Sequence, residues 1–174
     1  MAKSSKEQIL KDEKKIIAEL QKNSRASADK IAKKCGFSRQ KAWRILNSLE
    51  KDKVIWGYGT VTDNEKLGIS EYHILIKKTT EPLAKTVDTI ISRQLDKDAE
   101  TLGINIECSH YLHGQYDWEI CFTAENIKIA KKFCELLNKL YYKSISELIL
   151  IERMFSAKKC GILNPNLEKL KEFI

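Results

Sequence analysis

Residues 27–50, SADKIAKKCGFSRQKAWRILNSLE, predict two short helices joined by a tight turn. In the first helix, apolar side chains recur at i, i+3, i+4 and i+7, which is the spacing of one helical stripe; they are Ala28, Ile31, Ala32 and Cys35. Gly36 is expected to end this helix, because glycine takes the left-handed conformation without steric cost. Phe37 can fill the corner, and the hydroxyl of Ser38 is suited to capping the next helix.

The second helix, predicted from Ser38 to Lys51, has two distinct faces. Its apolar stripe repeats the same spacing and consists of Ala42, Ile45, Leu46 and Leu49. Its other face is cationic and rich in hydrogen-bond donors; it carries Arg39, Gln40, Lys41, Trp43, Arg44 and Asn47. A helix that enters the major groove needs such a face to meet phosphates and base edges. The pattern predicts a helix-turn-helix, and the alternative is a helical hairpin with a solvated charged face.

The distribution of charge along the chain favours the nucleic-acid interpretation. Of the 174 residues, 31 are Lys or Arg and 24 are Asp or Glu, for a net charge of +7. Residues 1–60 contain 15 basic and 7 acidic residues, whereas the rest of the chain contains 16 and 17. The whole positive excess therefore lies in the segment that holds the motif, as expected of an electrostatic footprint for nucleic acid.

Length and composition limit the class of protein. A chain of 174 residues with 43% hydrophobic residues can form two small domains with their own cores. No apolar run approaches the roughly 20 residues of a membrane span, and the first residues lack a signal-peptide core. We therefore expect a cytoplasmic protein without membrane contact. The five cysteines are widely spaced and form no CxxC pair, so we expect reduced, packed thiols.

The remaining segments predict a third helix and a separate sheet domain. A helix from about Lys6 to Lys22 precedes the motif, and residues 53–62 favour a short strand or hinge, followed by the linker DNEKLG at 63–68. Strand and helix patterns then alternate in the order βαββαβ, with strands near 71–78, 104–113, 118–123 and 145–155 and helices at about 82–96 and from Asn126 onward. This order predicts an antiparallel sheet with both helices on one face.

The other face of that sheet has no predicted cover. Residues 148–151 are apolar on both faces of their strand, and an exposed apolar face usually marks an interface. A face-to-face homodimer is therefore expected. The tail beyond Gly161 could form a short helix with Leu167, Leu170 and Ile174 inward, packed on its own domain or on a partner subunit.

The sequence resembles the Lrp/AsnC, or feast/famine, transcription regulators over nearly the whole chain. The matching stretches, in the family's order, are IIAELQKNSRAS at 16–27, IAKKCGFS at 31–38, LEKDKVIWGY at 49–58, DNEKLG at 63–68 and HGQYD at 113–117. The resemblance implies an α+β protein in which an amino-terminal winged helix-turn-helix is joined by a hinge strand to a ferredoxin-like βαββαβ sensing domain. It also implies dimers and higher oligomers, up to octamers, that bind promoter DNA with an amino acid as effector.

The same resemblance assigns an effector site to the turn between the second and third sheet strands. The family's GxYD pattern is represented here by Gly114, Tyr116 and Asp117. A glycine lets a ligand approach the backbone, and a carboxylate can accept hydrogen bonds from an α-ammonium group. The alternative is a tight hairpin in which Asp117 only solvates the turn.

The chain departs from the family pattern at three places. Ile45 stands where arginine is usual, so one contact of the recognition helix is expected to be lost or moved to Arg44. The glycine that normally ends that helix is replaced near Asp52 and Lys53. A charged segment at 93–103, longer than usual, precedes the second sheet strand and predicts an extended helix or a loop near the effector site.

Two catalytic or metal-binding alternatives are weaker. Relatives that resemble siroheme decarboxylases hold a tetrapyrrole's carboxylates with basic and histidine side chains around this hairpin, and His110 and His113 flank it here. The hairpins of those enzymes are richer in Arg and His than the hairpin of this chain. We therefore expect this protein not to be an enzyme and not to bind a cofactor. Cys108, His110 and His113 cannot easily converge on one metal ion, because His113 would point to the opposite face of the strand.

These observations predict four segments and a function. The segments are a winged helix-turn-helix domain at 1–60, a hinge at 61–69, a sensing and oligomerisation domain at 70–160 and a tail at 161–174. The function is sequence-specific regulation of transcription on double-stranded DNA, with an amino-acid effector and no metal. The side chains expected to contact DNA are Arg25, Ser38, Arg39, Gln40, Lys41, Trp43, Arg44 and Asn47, and Lys30, Lys33 and Lys34 are expected to contact phosphates.

Overall fold

The computed structural model describes residues 6–80 and 84–174, which group into two compact units. Among the described residues, the first unit contains residues 6–62 together with Ala157–Leu170, and the second contains residues 63–80 and 84–156 with Lys171–Ile174. This grouping differs from the boundary that we expected at residue 160. Residues 157–164 form a small hairpin of their own, in which the Asn164 amide donates to the Ala157 carbonyl at 3.0 Å.

The first unit contains the three predicted helices: α1 at Lys6–Lys22, α2 at Ala28–Cys35 and α3 at Arg39–Lys51. Their apolar stripes meet in one core; its buried members are Ile16, Leu20, Ile31, Ala32, Ala42, Ile45 and Leu49. Ser27 caps α2 and Ser38 caps α3, each hydroxyl accepting a backbone N–H three residues later. The predicted helix-turn-helix is therefore present, with α3 as its second helix.

Both helices of the motif end in the same hydrogen-bond pattern. At the end of α2 the Phe37 amide donates to the Ala32 carbonyl, and Gly36 takes a left-handed φ of 70°. At the end of α3 the Val54 amide donates to the Leu49 carbonyl, and Lys53 takes a left-handed φ of 55°. This conformation favours glycine, because a Cβ atom crowds the neighbouring carbonyl oxygen.

Lys53→Gly should therefore stabilise the first unit, raising its free energy of unfolding by about 0.5 to 1 kcal/mol. Lys51→Gly is the matched control, because Lys51 is the last helical residue of α3 and glycine there should cost a few tenths of a kcal/mol, up to about 1. Urea denaturation of the two variants measures both effects. Equal destabilisation by both substitutions would contradict the strain assigned to Lys53.

The hinge strand expected after α3 is not paired within the chain. Residues 54–63 form neither helix nor strand, and a short 3₁₀ helix follows at Glu65–Leu67. A strand requires a hydrogen-bonding neighbour, and in the described parts of this chain no strand lies beside the segment. Trp56 in this segment is 94% exposed.

The second unit has the predicted βαββαβ order with one extra helix. Its elements are β1 at Ser70–Lys78, α4 at Ala84–Ile91, α5 at Gln94–Thr101, β2 at Asn105–Tyr111, β3 at Trp118–Ala124, α6 at Ile127–Leu140 and β4 at Ile145–Arg153. Asn126 caps α6 as predicted, accepting from the amides of Lys128 and Ile129. The core of this unit is formed by aromatic and aliphatic side chains, including Tyr72, Phe122 and Phe133.

The predicted single helix at 82–96 is interrupted. Pro82, expected in its first turn, lies outside the described residues. α4 ends at Ile91, Arg93 takes a left-handed φ of 55°, and α5 then begins at Gln94. The spacing of apolar residues could not predict this break, because Leu95, which follows the turn, is buried and continues the helical spacing of the residues before it. The charged segment at 93–103 is thus a second helix, which Gly103 follows at φ 71°.

The four strands form an antiparallel sheet in the order β2-β3-β1-β4. Tyr72, Ile74 and Ile76 of β1 are buried in the core, so the alternate residues of β1 lie on the opposite face, which we call the open face. The register places β1 residues beside residues of β3 and β4, with His73 opposite Cys121 and Ile151. The open face carries polar side chains such as His73 beside apolar ones such as Ile151.

The end of the chain differs from the predicted helical tail. A hairpin of β5 at Lys158–Lys159 and β6 at Ile162–Leu163 is followed by a 3₁₀ helix at Leu167–Phe173. Leu170 is 38% exposed and Ile174 is 97% exposed, so they are not inward in the single chain. No helix among the described residues has the length and apolar character of a membrane span.

Candidate nucleic-acid interface and sheet-face cluster

The outer face of α3 presents the side chains predicted to contact DNA. Ser38, Arg39, Gln40, Trp43, Arg44 and Asn47 are exposed, and the open groove along this face is lined by Ser38, Arg39, Gln40, Lys41, Trp43 and Arg44. Trp43 is 60% exposed, which is unusual for so large an apolar side chain. Ile45, the position where the family usually has arginine, points into the core and is 9% exposed. In the middle of α3, it is therefore Arg44 that places a guanidinium group on the outer face.

Three of the predicted contacts are held by carboxylates of the same unit, and the first is Lys34, whose Nζ lies 3.1 Å from Glu19 Oε2. Arg39 Nε lies 3.0 Å from Asp29 Oδ1 in an exposed ion pair. Lys41 Nζ lies 2.6 Å from Asp12 Oδ2, and the same ammonium group stands 4.2 Å from the centre of the Phe37 ring. Lys41 therefore links α3 to α1 and to the turn. Arg25, also predicted to contact DNA, is exposed in the loop before α2.

Asp12 is a buried carboxylate at the centre of this link. Its side chain is 5% exposed and accepts from both Lys41 and Gln8, the latter at 2.9 Å. The hydrogen bond from Lys41 lowers the pKa of Asp12 below its ordinary value of 3.8, against the opposing effect of burial. Asp12 was not predicted as a functional residue, although a charged residue four positions before Ile16, on the inner face of α1, was a visible signal.

The predicted effector turn is tied to the sheet through Asp117. Its Oδ2 atom accepts the Lys78 backbone N–H at 2.9 Å, and its own N–H donates to the Ile76 carbonyl at 2.9 Å. Gly114 is exposed, and no heavy atom lies within 4 Å of the place where a Cβ would stand. Tyr116 is half-buried. The turn is therefore open to solvent at Gly114, whereas the Asp117 carboxylate is already hydrogen-bonded to the Lys78 backbone amide.

A third group of polar side chains lies on the open face of the sheet and was not foreseen. We call it the sheet-face cluster; it consists of Glu71, His73, Glu119, Cys121 and Arg153. His73 Nδ1 lies 2.9 Å from Glu119 Oε1 and 3.3 Å from Cys121 Sγ. Arg153 contacts both Glu71 Oε1 and His73 Nε2 through its guanidinium. The alternation of polar and apolar residues in β1 and β3 was a signal, but the strand register was needed to bring them together.

Burial and charge shape the pKa values in this cluster. The hydrogen bond from His73 lowers the pKa of Glu119, and burial raises the pKa of the Cys121 thiol to about 12. At neutral pH the cluster therefore contains an ionised Glu119 beside a protonated thiol. His110, on the adjacent strand, places Nδ1 at 3.6 Å from the other carboxylate oxygen of Glu119.

Comparisons with known proteins agree with this architecture. Residues 13–55 match a family described as winged helix-turn-helix DNA-binding. A curated relative, an uncharacterised HTH-type transcriptional regulator of Pyrococcus abyssi, is 25% identical over 153 residues, covering 85% of this chain and 92% of the relative.

Two solved structures share the fold over most of their length. An AsnC family transcriptional regulator from Agrobacterium tumefaciens is 18% identical, with a TM-score of 0.65 and coverage of 88% of this chain and 95% of that one. A transcriptional regulator from Neisseria meningitidis in complex with L-Met is 16% identical, with a TM-score of 0.65 and coverage of 90% and 96%. The chain carries a winged helix-turn-helix DNA-binding domain and has the α+β fold of the Lrp/AsnC regulators, as its sequence predicted.

Proposed function

We propose that this protein regulates transcription by binding specific double-stranded DNA through α3. The observation that carries the proposal is the outer face of α3, where exposed Gln40, Arg44 and Asn47 stand opposite a fully packed stripe. Arginine binds guanine edges and the amides bind adenine edges in the major groove, so this face offers donors for both bases. The net charge of residues 1–60 supplies the attraction to phosphates that is independent of sequence.

The test is fluorescence anisotropy of the protein with DNA from its own upstream region and with scrambled DNA of equal length. We expect tighter binding to the upstream DNA, and a logarithm of affinity that falls linearly with the logarithm of salt concentration. Absence of binding to either DNA at low salt would overturn the proposal. Equal binding to both would retain DNA binding and reject sequence specificity.

We propose further that the active form is a homodimer or an assembly of dimers, such as an octamer. Leu75, Ile149 and Ile151 lie on the open face, and Ile151 is 43% exposed, which supports an apolar contact between two such faces. A twofold dimer predicts a pseudo-palindromic operator with half-sites about one helical turn, or a multiple of it, apart. Sedimentation velocity should give at least twice the chain mass of 20.1 kDa, and a monomer at micromolar concentration would contradict this assembly.

An amino acid is the effector class that we propose for the turn at Gly114, Tyr116 and Asp117. The open space above Gly114 would admit a ligand, and the Neisseria regulator of the same fold is a complex with L-Met. One oxygen of Asp117 accepts from the Lys78 amide, and the other lies 3.9 Å from Lys78 Nζ. The second oxygen could accept from an α-ammonium group.

Asp117→Asn should abolish any change in assembly or DNA affinity that an amino acid produces. Asparagine retains an oxygen for the Lys78 amide but lacks the charge that attracts an ammonium group, so the turn should stay folded. Asp63→Asn, on the exposed linker, is the control. Anisotropy titrations with each of the 20 amino acids measure the response. A response that survives in Asp117→Asn would place the effector elsewhere.

An enzymatic function is not favoured. The family match lies in the DNA-binding domain, and the relatives described above are named transcriptional regulators. The tetrapyrrole alternative relied on His110 and His113 beside the turn, and His110 instead faces Glu119. We therefore propose no catalytic residues for this chain.

A further inference from the structure

The sheet-face cluster combines the side chains that bind borderline transition metals. His73 Nδ1, a carboxylate oxygen of Glu119 and Cys121 Sγ all lie within 4.8 Å of one another. They come from the adjacent strands β1 and β3, where the backbone is held by the sheet hydrogen bonds. Imidazole, carboxylate and thiolate are the three ligand types found at zinc sites in proteins. The triad therefore has the composition of a metal site on a rigid support.

The spacing of these atoms also suits one ion. Ligands at about 2.0 to 2.3 Å from a tetrahedral zinc ion lie about 3.3 to 3.8 Å from one another. The distance from His73 Nδ1 to Cys121 Sγ is 3.3 Å, and that from Nδ1 to Glu119 Oε1 is 2.9 Å. Each needs to change by only a few tenths of an ångström to surround an ion.

A fourth ligand is available from the next strand. Cys108 of β2 lies directly opposite Cys121 in the antiparallel register, so both side chains are on the open face. Cys108 lies outside the group whose ligand atoms are all within 4.8 Å of one another, so a rotation of its side chain would have to bring the thiol to the ion and complete a set of four.

We propose that this face binds one divalent transition-metal ion, with zinc as the best match, through His73, Cys108, Glu119 and Cys121. This set differs from the combination of Cys108, His110 and His113, because the strand register brings His73, Glu119 and Cys121 together. Charge also favours a cation: Glu71 and Glu119 outnumber the single Arg153 in the cluster. The ligands come from β2, β3 and β1, whereas the apolar residues Ile149 and Ile151 lie on β4, next to β1.

Arg153 opposes metal binding in a way that can be measured. A guanidinium can only donate, so its contact with His73 Nε2 requires the imidazole proton to be on Nδ1, where it donates to Glu119. An ion bound to Nδ1 requires the proton to be on Nε2, which Arg153 cannot accept. Arg153 must therefore withdraw when the ion binds. Arg153→Gln supplies a carbonyl acceptor instead, and should raise metal affinity about tenfold or more.

The test uses the full chain without a histidine tag, kept reduced and stripped of metal by a chelator. Titration with Co²⁺ should show one ion per chain, a thiolate-to-cobalt charge-transfer band and the visible bands of tetrahedral cobalt. Zn²⁺ should then displace the cobalt and abolish these bands. Binding of cobalt with no thiolate band, or no binding at micromolar concentrations, would overturn the proposal.

Variants assign the ligands. Cys121→Ser should remove most of the charge-transfer band, Cys108→Ser should remove part of it, and His73→Gln should weaken binding by about 100-fold or more. Cys160→Ser is the matched control, because Cys160 is exposed in the turn between β5 and β6, and its band should be unchanged. Circular dichroism checks that each variant is folded. A band that survives in Cys121→Ser and disappears in Cys160→Ser would refute the site.

The measurement is independent of DNA. If the ion does not bind, the proposed regulator function is unaffected, because no ligand of this site belongs to the first unit. If the protein binds metal but not DNA, the regulator proposal fails alone.

Discussion

Arg44→Ala is expected to lower affinity for the preferred operator by about 1 to 3 kcal/mol, a rise in Kd of about five- to 150-fold. Arg44 is exposed on the outer face of α3, next to Trp43 in the open groove. Within the described residues, no carboxylate lies within ion-pair distance of its guanidinium, in contrast to Arg39, which is paired with Asp29. The fork of Arg44 is therefore available to form two parallel hydrogen bonds with one base.

A second variant separates reading of bases from attraction to phosphates. Lys33→Ala removes an exposed ammonium of α2, and we expect it to weaken operator and scrambled DNA equally while lowering the salt slope by about 1. Arg44→Ala should instead reduce the difference between the two DNAs. Anisotropy titrations at several salt concentrations give both quantities. Unchanged affinity of Arg44→Ala for the operator would remove Arg44 from the recognition surface.

Asp12→Asn should lower the free energy of unfolding of the first unit by about 1.5 to 3 kcal/mol. The carboxylate is 5% exposed and accepts charge-assisted hydrogen bonds from Lys41 and Gln8. Asparagine has nearly the same volume but no charge, so the buried site loses the charge-assisted hydrogen bond that the partly exposed Lys41 ammonium donates to it. The link between α1 and α3 should weaken with it.

The same pair should make stability depend on pH at the acid end. The folded pKa of Asp12 is lowered from 3.8, so its contribution is fully present above that value and is lost as pH falls below it. The variant Asp12→Asn should not show the loss of stability that protonation of Asp12 causes in the wild type. If the difference in the free energy of unfolding between wild type and Asp12→Asn stayed constant from neutral pH to pH about 2, Asp12 would not have a lowered pKa in the folded protein.

Urea denaturation measures these effects in a Trp118→Phe background. Trp43 and Trp56 are then the remaining tryptophans, and both belong to the first unit. Glu7→Gln is the matched control: it also removes a carboxylate from α1, but its ion pair with Lys11 is exposed on both sides. Such a surface pair contributes little, so its loss should change stability by less than about 0.5 kcal/mol.

Local patterns in the sequence predicted most of the elements. The apolar stripes of α1, α2 and α3 and the cap at Ser38 depend on residues within one or two helical turns. The strand patterns likewise predicted the βαββαβ order, and glycine at residue 36 predicted the end of α2. The polar face of α3 also followed directly from its sequence, because the repeat of 3.6 residues per turn fixes which residues of a helix share a face.

Contacts between distant segments could not be predicted in this way. The break at Arg93 depends on backbone conformation, which apolar spacing does not record. The ion pair of Asp12 with Lys41 joins two helices 29 positions apart, and the sheet-face cluster joins residues as distant as Glu71 and Arg153. A one-residue slip in any strand would move His73, Glu119 or Cys121 to the opposite face. Helix faces are thus a property of local sequence, whereas the convergence of polar side chains on one face depends on strand order and register in the folded chain.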